Sequence, residues 1–173
     1  MQITLITGGQ RSGKSEMAEG LALSRSEAPV YLATATVNPG DAEMARRVAA
    51  HRERRGPQWS TIEEPLAPSA HAAVLEGRTV LVDCLTLWAT NLFFANGDDE
   101  ERAFEAFRRE FELLAAIPGI DLIMVSNEIG LGGISPNPLQ RRFTDLQGRV
   151  NRLAATVADE VYFMISGLPL KIK

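Results

Sequence analysis

The sequence predicts an α/β fold in which a mostly parallel sheet is flanked by helices and closed by an antiparallel hairpin. Short apolar runs alternate with amphipathic stretches, which is the order that strand–helix–strand units produce. A glycine-rich loop follows the first apolar run, and two extended runs flank Gly167 near the end of the sequence. We expect one catalytic domain over residues 1–173, because a chain of this length can bury a core of its own.

The loop at residues 8–15 matches the phosphate-binding pattern G-x-x-x-x-G-K-[ST]. It follows a predicted strand and opens a predicted helix, so its inward-turned N–H groups and the helix N-terminus can hold phosphate oxygens. Lys14 is expected to reach the terminal phosphates, and the Ser15 hydroxyl to hold Mg²⁺. The predicted nucleotide-binding residues of this loop are Gly8, Gly9, Gln10, Arg11, Ser12, Gly13, Lys14 and Ser15.

Net charge, apolar runs and cysteine content limit the classes of protein to which the chain can belong. The formal net charge of −4 argues against a general binder of nucleic acid or of anionic membranes. No apolar run is long enough to span a bilayer and no leader pattern precedes the first strand, so we expect a cytoplasmic protein. Cys84 is the only cysteine, which excludes an internal disulfide and predicts a small buried core residue.

Periodicity and turn signals predict the remaining elements. The predicted strands are residues 2–7, 30–34, 59–63, 79–83 and 121–126, with the hairpin at 160–166 and 168–173. The predicted helices are residues 14–25, 42–55, 69–76, 85–94 and 139–158, and one more that the segment Asn96-Gly97-Asp98-Asp99 caps. In that helix the stripe of Phe104, Phe107, Phe111 and Leu114 predicts core packing.

Four segments are expected to meet at one edge of the sheet, because parallel strands present ligands at their carboxyl ends. They are the phosphate loop, the run Thr34-Ala35-Thr36, Asp83, and Asn127-Glu128 at the start of a glycine-rich loop. Asp83 ends an unbroken apolar strand, which is typical of a carboxylate that binds Mg²⁺ or its water. The threonines have two open interpretations, nucleotide contact or β-propensity with helix capping.

This arrangement predicts a nucleoside-triphosphate site with Mg²⁺ that performs phosphoryl transfer, nucleotidyl transfer or coupled hydrolysis. The sequence lacks the N/T-K-x-D element that guanine-switch proteins use to recognise their base. A motor ATPase is usually larger, so the size of the chain favours a small-molecule kinase.

His51 lies on the apolar side of an arginine-rich predicted helix, and two interpretations of it are open. It is either a half-buried structural histidine or a nucleophile. In the second case a neutral imidazole, flanked by Arg47 and Arg55, attacks an α-phosphate while the arginines neutralise it. Neighbouring positive charge lowers the pKa of a histidine and keeps the neutral form available. His51 is separate from the phosphate loop, so we expect its helix to close on the nucleotide.

Several motifs, taken together, resemble one family over essentially the whole chain. They are residues 8–15, the array from Glu43 through His51 to Glu63, Asp83-Cys84-Leu85-Thr86, residues 126–130, residues 136–151, and Ala158-Asp159-Glu160-Val161. The chain resembles the bifunctional adenosylcobinamide kinase/adenosylcobinamide-phosphate guanylyltransferases of cobalamin biosynthesis.

The resemblance implies two reactions on one RecA-like scaffold. ATP or GTP first phosphorylates the hydroxyl on the aminopropanol arm of adenosylcobinamide, a corrinoid, and GTP then donates GMP to that phosphate through a histidine–GMP intermediate. The resemblance implies that His51 is the guanylylated residue and that Arg52, Glu63 and Asp83 complete the nucleotide contacts. Some members carry two adjacent histidines where this chain has Ala50 and His51. The resemblance also implies a homotrimer.

Two other functions fit the phosphate loop on its own. A P-loop small-molecule kinase of another pathway would use Arg52, Arg54 and Arg55 as a lid that clamps phosphate. A non-catalytic regulator would bind nucleotide without turning over a corrinoid. Spacing identifies no element that distinguishes ATP from GTP as the phosphoryl donor.

Overall fold

Seven strands join one sheet in the order β3-β2-β4-β5-β1-β6-β7. The structure is a computed structural model, and it describes residues 2–36, 40, 46, 48, 49, 53 and 55–173. The strands are β1 (Gln2–Gly8), β2 (Val30–Ala33), β3 (Ser60–Glu63), β4 (Thr79–Asp83), β5 (Asp121–Asn127), β6 (Glu160–Ile165) and β7 (Leu168–Lys171). All neighbours pair in parallel except β6 and β7. The predicted parallel sheet and its closing hairpin are confirmed.

The helices connect these strands and lie close to their predicted positions. They are α1 (Lys14–Arg25), α2 (Ala72–Leu75), α3 (Leu85–Ala95), α4 (Glu100–Ala115) and α5 (Pro138–Val157). Single 3₁₀ turns cover Pro68–His71 and Gly130–Gly132. The predicted helix at 42–55 falls largely outside the described residues, although Arg46, Val48, Ala49 and Glu53 are helical. Within the described ranges, no helix combines the length and the apolarity that a membrane span requires.

Capping residues fix where two of the helices begin. Asp99 accepts hydrogen bonds from the backbone N–H groups of Glu101 and Arg102, both at 3.0 Å, so the predicted cap of α4 is confirmed. Asn137 accepts from Leu139 N–H at 2.9 Å at the start of α5. Proline at the first helical position needs no N–H partner, and α5 therefore begins at Pro138, one residue before the predicted start.

The sheet is covered unequally on its two faces. Helix α1 packs through Ala18 and Ala22 on one face, where the core is small. On the other face α3, α4 and α5 bury a larger core that contains Trp88, Phe93 and the predicted stripe of α4. Phe107 and Phe111 are fully buried and Phe104 is partly buried, which confirms the prediction of core packing. Burial of each large apolar side chain contributes about 1.5–3 kcal/mol.

The C-terminal hairpin is in direct contact with the phosphate loop. The N–H of Gly167 in the β6–β7 turn donates to the carbonyl of Ser12 at 3.1 Å. A Cβ added at Gly8 would lie 2.6 Å from the carbonyl oxygen of Met164, so only glycine allows β6 to approach this closely. The shape of the loop therefore depends on the last strand pair as well as on β1 and α1.

Candidate active site

The phosphate loop connects the buried strand β1 to the N-terminus of α1, as predicted. Gly13 has a left-handed φ of 89°, the conformation in which glycine is favoured and which turns the chain into the helix. Lys14 is only 6 % exposed, and its ammonium donates to the carbonyl of Gly9 and, at 3.4 Å, to the Ser12 hydroxyl. Lys14 thus bends back over the loop, at the position where a phosphate chain would lie.

Burial lowers the pKa of Lys14 from its ordinary value of 10.5, and the neighbouring Cys84 and Asp83 side chains oppose that effect. A cation in such a position gains from any anionic partner that replaces the water it has lost. The loop residues on the outer side, Gly9, Gln10 and Arg11, are exposed. The buried Lys14 therefore lies next to exposed loop residues.

Asp83 is the centre of a hydrogen-bonded group beside the loop. Its Oδ2 accepts from the Ser15 hydroxyl at 3.3 Å and from the Tyr31 hydroxyl at 2.8 Å. The predicted metal-binding residues Ser15 and Asp83 are therefore adjacent. Within the described part of the chain, no group of three or more His, Cys, Asp or Glu side chains is placed to hold a metal ion. A hydroxyl and a single carboxylate suit Mg²⁺, which usually takes its remaining ligands from phosphates and water.

Tyr31 is the part of this group that sequence reasoning missed. Its ring lies in the core of the α1 face, and burial followed by the charge of Asp83 raises the pKa of its hydroxyl above the ordinary value of 10. Tyr31 therefore stays protonated and donates to Asp83. The Arg55 guanidinium lies 3.5 Å from the centre of the Tyr31 ring, and the Trp59 ring meets the same ring edge-on at 6.1 Å.

A cavity of about 310 Å³ opens beside this aromatic pair at the edge of the sheet. It is lined by Arg55, Gly56, Trp59, Thr61 and Glu63. Trp59, Thr61 and Glu63 alternate along the segment that forms β3, so their side chains share one face. That alternation is a signal in the sequence that could have identified the cavity.

The cavity and the carboxylate of Asp83 lie at the same edge of the sheet. Ala33 pairs with Asp83 on one side and with Glu63 on the other. Asp83 and Glu63 are therefore two strand spacings apart, about 10 Å. Arg55 lines the cavity with Glu63 and lies over the ring of Tyr31, and its Nη1 is buried without a hydrogen-bond partner among the described residues. A buried guanidinium donor of this kind is a natural partner for a phosphate oxygen.

The predicted segment Thr34-Ala35-Thr36 also reaches this edge, but its side chains bond mainly to the protein. The Thr34 hydroxyl is buried, donates to the carbonyl of Cys84 at 2.8 Å and accepts from the Cys84 N–H at 2.9 Å. Thr36 is exposed and donates to Asn91 at 3.2 Å, while Ala35 is half-buried. Cys84 itself is buried and unpaired, as predicted, and burial raises the pKa of its thiol to about 12.

Asn127 and Glu128 complete the edge on the other side of Asp83. β5 lies between β4 and β1, and the N–H of Glu128 donates to the carbonyl of Gly8 at 3.0 Å. The four predicted segments therefore meet at one edge, together with Glu63. The predicted His51 and Arg52 lie outside the described residues.

Comparison with known proteins decides which family this arrangement represents. Residues 4–172 match the family model described as cobinamide kinase / cobinamide phosphate guanyltransferase. The chain belongs to this family. Its members combine two transfer activities, and the predicted bifunctional kinase and guanylyltransferase is thereby confirmed.

Individual relatives are similar over nearly their whole length. The chain is 45% identical over 171 residues to the bifunctional adenosylcobalamin biosynthesis protein CobP of Pseudomonas aeruginosa, covering 98% of this chain and 96% of the relative. It is 38% identical over 181 residues to the bifunctional adenosylcobalamin biosynthesis proteins CobU of Escherichia coli and of Salmonella typhimurium, covering 98% of both chains in each case.

Proposed function

We propose that the chain phosphorylates adenosylcobinamide with ATP or GTP and then transfers GMP from GTP to that phosphate through a His51–GMP intermediate. The observation that carries the proposal is the juxtaposition of Asp83 with Lys14 and Ser15 of the phosphate loop, in a chain of the cobinamide kinase / guanyltransferase family. The reactions occupy one domain, residues 1–173, in the cytoplasm.

In the kinase reaction the loop and Lys14 bind the β- and γ-phosphates. The backbone N–H groups of the loop and the N-terminus of α1 orient the triphosphate, and the Lys14 ammonium neutralises charge on the leaving nucleoside diphosphate. Ser15 and Asp83 are the residues that would hold Mg²⁺. When bound, the ion would neutralise phosphate oxygens during transfer.

In the guanylyl transfer the imidazole of His51 attacks the α-phosphorus of GTP. A nitrogen–phosphorus bond forms, the bond from the α-phosphorus to the bridging oxygen breaks, and pyrophosphate leaves. An oxygen of cobinamide phosphate then attacks the same phosphorus and releases the histidine. Arg52 is assigned to the same nucleotide. The buried Nη1 of Arg55, which has no hydrogen-bond partner among the described residues, supports a further contact between Arg55 and a phosphate oxygen.

The cavity at Trp59 and Glu63 is assigned to the guanine base. Guanine presents two N–H groups on one edge that a carboxylate accepts together, and its ring stacks on an indole. Adenine lacks that paired donor edge. Support comes from the position of Glu63, about 10 Å from Asp83, a separation that one nucleotide can bridge. Thr34, Ala35 and Thr36, which follow the strand between those of Asp83 and Glu63, are assigned to the same nucleotide.

A homotrimer is part of the proposal. Its support is the exposed edge of β7, where Leu168 is 71 % exposed and Leu170 and Ile172 are also exposed. An apolar edge strand is a surface that a second chain can cover. The molar mass in solution, measured by light scattering, tests this; a monomer at all concentrations contradicts it.

Mass spectrometry after incubation with GTP and Mg²⁺ tests the intermediate. We expect one GMP per chain, on the peptide that contains His51, and no adduct in His51→Ala, which keeps the kinase activity. His71→Ala is the matched control, because His71 is the other histidine of the chain and should leave both the adduct and the kinase reaction intact. Lys14→Ala should impair both reactions. An adduct that persists in His51→Ala contradicts the assignment.

A further inference from the structure

Glu128 has no assigned role in either of the two reactions described above. It is the first residue after β5, the strand that lies between the Asp83 strand and the phosphate-loop strand. Its N–H donates to the carbonyl of Gly8 at 3.0 Å, which fixes its backbone against the first residue of the loop. The backbone of Glu128 therefore lies directly beside the phosphate loop, and its side chain is half-buried.

A buried polar network holds this carboxylate in place. Oε1 accepts from the Gly130 N–H and Oε2 accepts from the Asn151 amide, each at 3.2 Å. Asn151 is 8 % exposed, and its Oδ1 accepts from Ser126 at 2.6 Å and from Gln147 at 2.8 Å. Ser126 and Gln147, both fully buried, thus orient the Asn151 amide, and that amide orients the Glu128 carboxylate.

The network alone gives no reason for a charge at this position. The Asn151 amide also donates to the Asn127 carbonyl at 3.1 Å and so has a partner without Glu128, whereas a glutamate costs desolvation unless it gains a partner. Within the described ranges, no arginine, lysine or histidine forms an ion pair with Glu128. Its oxygens are held by neutral N–H donors, and each oxygen retains capacity to accept a further hydrogen bond.

We propose that Glu128 is the catalytic residue that receives the proton of the acceptor hydroxyl in the kinase reaction. This rests on the proposed function. The alcohol oxygen attacks the γ-phosphorus, an oxygen–phosphorus bond forms, and the bond to the bridging oxygen breaks. The hydroxyl proton passes to the Glu128 carboxylate and then to solvent, and the nucleoside diphosphate leaves as the anion that Lys14 neutralises.

The loop that follows Glu128 leaves space for a large acceptor. Residues 130–134 are all exposed, and two of them are large apolar side chains, Leu131 at 76 % and Ile134 at 91 %. Exposed apolar groups beside a carboxylate suit a ligand that brings an extensive ring system together with one hydroxyl. The corrinoid substrate has this composition, with its hydroxyl on a flexible arm.

The test measures both reactions in Glu128→Gln. Glutamine preserves the size of the side chain but accepts no proton, so kcat of the kinase reaction should fall about 100-fold or more. Nucleotide affinity and the His51–GMP adduct should stay at wild-type levels, which also verifies that the variant is folded. Glu128→Asp should recover part of the rate. Glu76→Gln is the matched control, because Glu76 is exposed and precedes β4 at the opposite edge of the sheet.

The outcomes separate this inference from the function on which it rests. A wild-type chain that does not phosphorylate adenosylcobinamide overturns the proposed function itself. A wild-type chain that does so, with Glu128→Gln at the same rate, overturns the role of Glu128 alone. Equal losses of kinase rate, nucleotide affinity and adduct in Glu128→Gln also overturn it, because they indicate a structural role.

Discussion

The Tyr31 hydroxyl donates a 2.8 Å hydrogen bond to the Asp83 carboxylate, across the neighbouring strands β2 and β4. Asp83 accepts on the same oxygen from Ser15, so the tyrosine helps to orient the candidate metal-binding pair. The Tyr31 ring in turn contacts the Arg55 guanidinium. One side chain therefore connects Asp83, beside the phosphate loop, to Arg55, which lines the cavity at Trp59 and Glu63.

Tyr31→Phe removes the donor and preserves the ring. We expect the free energy of unfolding to fall by about 1 kcal/mol, because Asp83 loses a buried partner. The gain in nucleotide affinity that Mg²⁺ provides should also fall, since Asp83 is less well oriented. Titration of nucleotide with and without Mg²⁺ measures this, and Tyr162→Phe is the matched control because the chain has two tyrosines. An unchanged effect of Mg²⁺ contradicts the role of Tyr31.

Glu63→Gln tests the assignment of the base cavity. The carboxylate is replaced by an amide that presents an N–H₂ group to the N–H edge of guanine, so GTP should bind about tenfold more weakly or worse. ATP affinity should change little. Trp59→Ala should weaken both nucleotides, because every base has a face that stacks on an indole. Equal losses for ATP and GTP in Glu63→Gln would rule out guanine recognition by this carboxylate.

Gly8→Ala tests the contact between the phosphate loop and β6. The new Cβ would meet a backbone oxygen, that of Met164, at 2.6 Å, and backbone does not move cheaply. We expect a loss of about 1–3 kcal/mol in the free energy of unfolding, together with weaker nucleotide binding. Gly20→Ala is the control, and its free energy of unfolding should rise instead of fall, because Gly20 lies in α1 with open space around it. That variant should gain about 0.5–1 kcal/mol.

Glu64 predicts a pH dependence of stability. Its Oε1 accepts from the N–H groups of Leu66 and Ala67, both at 2.9 Å, and His71 lies 3.4 Å from Oε2. Burial raises the pKa of Glu64, but the backbone hydrogen bonds and His71 outweigh it, so the folded pKa lies below the ordinary value of 4.5. Its contribution is therefore complete above pH 4.5 and is lost as the pH falls through the lowered value.

Urea unfolding at several pH values measures that contribution. Glu64→Gln should be less stable than wild type by about 1 kcal/mol near neutral pH, and the difference should shrink in acid. The exposed Glu27→Gln should show no such trend. A difference between Glu64→Gln and wild type that is constant at all pH values would contradict the assignment to ionised Glu64.

Periodic and local features of the sequence predicted the sheet, the helices and the phosphate end of the site. The glycine pattern before Lys14 and the acid that ends β4 are each contained within a few consecutive residues, and the alternation of strands and helices follows from periodicity within each element. Residues 69–76 were predicted as one helical stretch, and the structure divides them into a 3₁₀ turn and α2. Pro68 begins that segment with a tight turn, which periodicity does not register.

The residues that orient the site could not be predicted, because their partners are distant in sequence. Tyr31 in the middle of an apolar strand is typical of core packing, and only the pairing of β2 with β4 brings its hydroxyl to Asp83. The same holds for Asn151, whose helical position gives no indication of Glu128. Sequence spacing identifies the side chains that contact a ligand more readily than the side chains that hold those contacting groups in position.

The position of β1 in the sheet has a consequence for folding. Both neighbours of β1 come from much later in the chain, since Gln2 pairs with Asp121 and Thr4 pairs with Glu160. The turn that contacts Ser12 comes later still, at Gly167. Contacts between such distant segments form slowly, because a long loop must close first. During synthesis the phosphate-loop residues emerge first, yet the contacts that set the conformation of the loop can form only after nearly all of the chain has been made.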